Sequence, residues 1–96
     1  MNKKDLRDFV ADDLGTTLAE ANISIDAVLA GIVAGITEDG KVTLVGFGSF
    51  TAVKRAARKA RNPKTGEPID VPEKIVPKFK PSAKMKELVL NADLNL

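Results

Sequence analysis

The sequence contains no cysteine, histidine, tryptophan or tyrosine. Without cysteine there can be no disulfide, thiolate metal ligand or cysteine nucleophile, which fits a reducing cytoplasm. Without histidine the usual general base near neutral pH is missing, and a zinc site would need carboxylates alone. No cofactor or metal is expected. The aromatic residues are Phe9, Phe47, Phe50 and Phe79, all at core-like positions, which leaves no exposed platform for stacking single-stranded bases. No apolar run approaches the roughly 20 residues of a membrane span. Met1-Asn2-Lys3-Lys4-Asp5 leads into an amphipathic pattern, unlike a signal peptide, and no membrane partner is expected. The carboxylates of Asp5, Asp8, Asp12 and Asp13 cluster on one segment, but neighbouring Asp12 and Asp13 do not face each other on a helix. They read as a solvated acidic face, and an enzyme is not expected.

What is present is a 96-residue chain, 44% hydrophobic. That is one domain by length and too apolar for a disordered tail. A domain this small is marginal alone. The net charge of +2 conceals a strong asymmetry. Residues 1–40 carry three basic and eight acidic side chains, residues 41–86 twelve basic and three acidic. A basic segment of this kind suits a polyanion.

Leu6, Phe9, Val10 and Leu14 follow helical spacing, with Asn2 as N-cap and Gly15 as the stop. Thr17-Leu18-Ala19-Glu20 has the pattern of a capping box. Leu18, Ala21, Ile25, Val28, Leu29, Ile32 and Ile36 then form one apolar stripe, predicting a long helix over about 17–38. Glu38-Asp39-Gly40 reads as a turn. Lys41-Val42-Thr43-Leu44-Val45 alternates as a strand does. Glycines at 46 and 48 around Phe47 suggest a sharp bend or close backbone packing. A second strand, Thr51-Ala52-Val53-Lys54, runs on into basic sequence. Ile75 to Lys80 is a third core strand. Ser82 caps a short helix whose inner face holds Met85, Leu88 and Val89.

Residues 54–73 contain only Ile69 and Val71 as large apolar side chains. Asn62-Pro63-Lys64-Thr65-Gly66 is a turn, with Pro63 presetting φ and Gly66 suiting the exit. Two limbs, about 54–62 and 67–74, therefore form a hairpin with nothing to pack on. Arg55, Arg58, Lys59 and Arg61 lie on its first limb and Lys64 at its tip. Arginine forks match phosphate and enter a narrow minor groove. Pro63 reads locally as a turn former; it is also rigid, apolar and without an N–H, as a wedge between base pairs would be. The arm leaves a small body that needs a partner subunit. Ile25, Leu29, Ile32 and Ile36 with Phe47, Phe50 and Phe79 are the expected dimer core.

Val45-Gly46-Phe47-Gly48-Ser49-Phe50, Arg55-Ala56-Ala57-Arg58, Arg61-Asn62-Pro63-Lys64-Thr65-Gly66 and Pro77-Lys78-Phe79-Lys80-Pro81 together resemble the HU/IHF family of bacterial histone-like proteins, to about Asn91. The resemblance implies an α+β fold in an intertwined dimer. Two N-terminal helices precede a three-stranded antiparallel sheet with a long extended β-hairpin arm and a short C-terminal helix. It implies one domain over 1–96: a helical dimerisation part over about 1–40, sheet and arm over about 41–81 with the arm at 54–74, and the last helix over about 82–91. It further implies binding and bending of double-stranded DNA with little sequence preference, in the cytoplasm at the bacterial nucleoid. Arg55, Arg58 and Arg61 look like the arm's groove contacts, Asn62 and Pro63 like its intercalating tip. Lys3 and Lys86 look like body contacts to flanking DNA, with Lys80 and Lys84 as helpers. The partner chain is an identical or a paralogous copy. Arg55-Ala56-Ala57-Arg58 is closer to HU; an IHF-like reader of preferred sites is the alternative, and a single-strand or RNA binder the alternative of another class. Departures from the family pattern are Ala60 where glycine is usual, Ser82-Ala83-Lys84 for a Gly-Lys helix start, and several extra residues at the tail.

Overall fold

The computed structural model describes residues 1–96. The chain divides into two compact units, residues 1–35 and 36–96, with the division falling inside the second helix. In the first unit, α1 spans Lys3–Leu14. Its start is a closed capping box. Asn2 Oδ1 accepts from the Asp5 N–H and the Asp5 carboxylate accepts from the Asn2 N–H, each at 3.0 Å. Two of the helix's orphan N–H groups are thereby satisfied. Gly15 ends it in the left-handed conformation at φ 66°, which costs glycine little. The long α2, Leu18–Asp39, begins the same way, with Thr17 Oγ1 accepting from the Glu20 N–H at 3.1 Å. The buried side chains here are Ala11, Ala21 and Ile25.

Part of the α2 stripe is uncovered in one chain: Leu18, Val28 and Leu29 are exposed, as is the neighbouring Val33. By length and composition alone α2 is long and apolar enough to cross a membrane. This corrects the expectation that no run approaches a span; few charges interrupt the stripe. One that does is Asp26, whose Oδ1 lies 2.6 Å from Lys3 Nζ. An aspartate so placed would cost roughly 3 kcal/mol at a bilayer centre.

In the second unit an antiparallel sheet has the order β1-β2-β5. Its strands are β1 (Lys41–Leu44), β2 (Gly48–Arg55) and β5 (Lys74–Pro81). Two shorter strands, β3 (Arg58–Arg61) and β4 (Pro68–Val71), form a separate two-stranded sheet. β1 stops one residue before the expected Val45. Gly46 turns the chain at φ 81°, and the Phe47 N–H donates to the Leu44 carbonyl at 3.0 Å. Val45 is left fully exposed at the turn. Phe50 stands opposite Phe79 across the β2–β5 ladder, ring centroids 4.8 Å apart, and Phe47 lies 5.6 Å from Phe79.

Ser82 caps α3 (Ala83–Leu90), its Oγ accepting from the Met85 N–H at 3.1 Å. Two expectations are corrected here. Met85 is half-buried, but Leu88 and Val89 are exposed. Of the four phenylalanines only Phe50 is half-buried, while Phe9, Phe47 and Phe79 are 62%, 47% and 40% exposed. One physical reason serves both: a chain with so few buried residues cannot cover its own apolar faces.

Candidate nucleic-acid interface

The body ladder ends at the pair Arg55–Lys74, and the arm ladder begins at Arg58–Val71. Between them Ala56 and Ala57 on one limb and Pro72 and Glu73 on the other belong to no strand. The limbs are thus not continuous, as the sequence suggested, but broken at the arm's root. Proline at 72 explains much of this, since it has no N–H to give a ladder. Lys54 Nζ lies 3.2 Å from Glu73 Oε1 at this break.

Residues alternate between the two faces of a ribbon. The register Arg58–Val71, Lys59–Asp70, Ala60–Ile69, Arg61–Pro68 therefore puts Arg58, Ala60, Ile69 and Val71 on one face. Lys59, Arg61, Pro68 and Asp70 share the other. Each face carries at least one arginine beside apolar surface. Arg55, Arg58, Lys59, Arg61 and Lys64 are all exposed.

The tip is organised by Asn62. Its N–H donates to the Glu67 carbonyl at 2.9 Å, and its own carbonyl accepts from the Gly66 N–H at 2.7 Å. Its side-chain oxygen accepts from the Lys64 N–H at 2.9 Å. Gly66 exits at φ 74°. These bonds clamp the turn on both sides of Pro63, which projects exposed at the end of the arm. Asn62 thus supports the tip through its own bonds, a role that Asn before Pro signals through the tendency of its side chain to bond the backbone two residues on.

The remaining candidates are distributed over the body. Lys80 lies on β5, exposed and opposite Ser49. Lys84 and Lys86 are exposed on α3. Two residues apart on a helix, they project about 200° from each other, so a flat partner surface meets only one. Lys86 borders an apolar groove with Phe79, Pro81, Met85, Val89 and Leu90. Lys3, in the first unit, is ion-paired with Asp26. Among the expected dimer residues, Ile25 is already buried within its own chain, Ile32, Ile36 and Phe50 are half-buried, and Leu29, Phe47 and Phe79 are exposed. Sequence reading missed the acidic residues Asp70 and Glu73 as neighbours of the arm's cations; three carboxylates on the return limb were the available signal.

Residues 1–90 match the bacterial DNA-binding protein family. The chain is 46% identical to DNA-binding protein HU-1 of Halalkalibacterium halodurans over 89 residues, 93% of this chain and 99% of that one. It is 44% identical to DNA-binding protein HRL53 of Rhizobium leguminosarum, over 93% of this chain and 98% of that one. Its fold superimposes on Anabaena HU in a cocrystal with DNA at a TM-score of 0.88 and 40% identity, covering 96% of this chain and 100% of that chain. Against HU from Thermotoga maritima the TM-score is 0.65 at 32% identity, covering 93% and 98%. With the sheet, the arm and the Asn62-Pro63 tip in place, the chain belongs to the bacterial DNA-binding protein family of HU/IHF type.

Proposed function

We propose that this protein is an architectural double-stranded DNA-binding protein that acts as a dimer at the bacterial nucleoid, bending DNA with little sequence preference. One observation carries the reading. A ribbon detached from the body sheet presents Arg58 and Arg61 along one limb, continues from Arg55 at the end of β2, and ends on an exposed, clamped Pro63. A two-stranded ribbon fits a DNA groove. Arginines meet the phosphates on either side, and a rigid apolar tip enters between base pairs at an unstacking cost of a few kcal/mol, offset by the contacts a bent duplex allows. HU and IHF are themselves among the proteins for which this bending mode is described, so the wedge role comes from family resemblance and the geometry is compatible with it. Family membership makes the chain a binding protein rather than an enzyme.

A second copy of the chain supports both parts of the reading. It would cover the exposed stripe of α2 and the Phe47 and Phe79 rings, and a two-fold pair presents two arms to one duplex. A single-strand binder is disfavoured because residues 54–74 contain no aromatic side chain on which bases could stack.

The test is end-to-end energy transfer on a short duplex labelled at both ends, titrated at low and moderate salt. Transfer should rise on binding, and the rise should weaken with salt. Binding by anisotropy with unchanged transfer would leave a basic DNA binder that does not bend its target.

A further inference from the structure

From the end of the body ladder to the tip, the cations of the first limb meet partners that differ with their type. Lys54 is ion-paired with Glu73 at 3.2 Å, and Lys59 stands directly across from Asp70. None of the three arginines has an acid opposite. Arg55 faces Lys74, Arg58 faces Val71, and Arg61 faces Pro68. Both lysines of the first limb are thus matched by a carboxylate of the return limb, while each of its arginines has a neutral or basic partner.

We propose that Asp70 and Glu73 set the strength with which the arm holds DNA, by competing with phosphate for Lys59 and Lys54 and leaving the arginines as the free contacts. This rests on the DNA-binding reading above and specifies which side chains tune it. Opposite charges across a ladder attract. The Lys54 and Glu73 side chains are both more than half exposed, and exposed pairs of this kind are weak. A phosphate can therefore displace the carboxylate. The displaced carboxylate then recovers a counterion, which offsets one ion released from DNA. The arm therefore gains less affinity from a lysine than from an arginine, and its salt dependence is shallower than its charge count implies. Arginine suits the unmatched positions because its planar fork can bridge two phosphate oxygens, whereas a lysine is a point charge.

The experiment is a double-mutant cycle on the full-length protein, titrating a labelled duplex of mixed sequence at several salt concentrations. Asp70→Asn should steepen the logarithmic salt slope by about one and change binding by about threefold between 50 and 200 mM salt. That gain should vanish when Asp70→Asn is combined with Lys59→Gln and measured against Lys59→Gln alone. Glu73→Gln with Lys54→Gln should behave in the same way. Thermal unfolding of each exposed variant checks that the body is intact. An equal gain from Asp70→Asn with and without Lys59 would overturn the matching and leave plain repulsion of phosphate. No gain from either acid would overturn it as well. If wild type and all variants alike fail to bind duplex at low salt, the DNA-binding reading itself is lost, an outcome distinct from binding without coupling.

Discussion

Gly48 lies so close to Lys80 that a Cβ on the glycine would meet the lysine's backbone carbonyl oxygen at 2.6 Å and the Phe79 ring at 2.7 Å. The contact joins the start of β2 to the end of β5, where Gly48 pairs with Pro81 and the Ser82 N–H donates to the Phe47 carbonyl at 2.9 Å. Gly48→Ala must push apart two paired backbones or displace the ring that Phe50 packs on. Overpacking of this kind costs about 1–3 kcal/mol, which is several degrees or more in Tm for a chain this small. Thermal unfolding monitored by circular dichroism checks it; an unchanged Tm would show that the strands separate freely here.

The uncovered α2 stripe and the exposed phenylalanines make stability depend on concentration if a second copy covers them. Each tenfold dilution should remove about 1.4 kcal/mol from a dimer, so Tm should fall with dilution. Sedimentation at matching concentrations should give twice the chain mass. A Tm independent of concentration over two decades would point to a folded monomer.

Pro63→Ala should retain most of the affinity for a duplex, because phosphate contacts supply it, and should lose most of the bending. The Asn62 bonds that clamp the tip do not need the proline ring, so the turn should survive. Energy transfer between duplex ends separates the two effects, and undiminished bending would remove the wedge role.

Arg58→Ala and Arg61→Ala should each lower the logarithmic salt slope by about one and weaken binding evenly across unrelated sequences. A slope that stays the same would place that side chain off the DNA. Arg61 shares its face with Lys59 and Asp70, whereas Arg58 shares its own with Ile69 and Val71, so a difference between the two variants would show which face enters the groove.

Much of this was legible in the chain. Asn2, Asp5, Gly15, Thr17 and Glu20 delimit α1 and the start of α2 by bonds between near neighbours, so their spacing suffices to read them. The arm was legible from composition, since a stretch with only Ile69 and Val71 as large apolar residues has nothing to bury. Asn62-Pro63 and Gly66 marked its tip for the same local reason.

The break at Ala56-Ala57 and Pro72-Glu73 was not legible, although Pro72 pointed to it. Where a ladder stops depends on both limbs at once, and register is a property of the pair. The matching of Lys54 with Glu73 comes from an ion pair formed across the break, and that of Lys59 with Asp70 follows from that register. So does the role of Gly48, which sequence could assign only to a bend or a close approach. Helix limits, strand pattern, charge asymmetry and the arm could be read from the order of residues, because each arises within a few residues of chain. Which cation faces which acid, where backbones touch, and which apolar side chains stay uncovered could not. Those depend on contacts between residues far apart in the chain, and burial is settled only when the remote surface is in place.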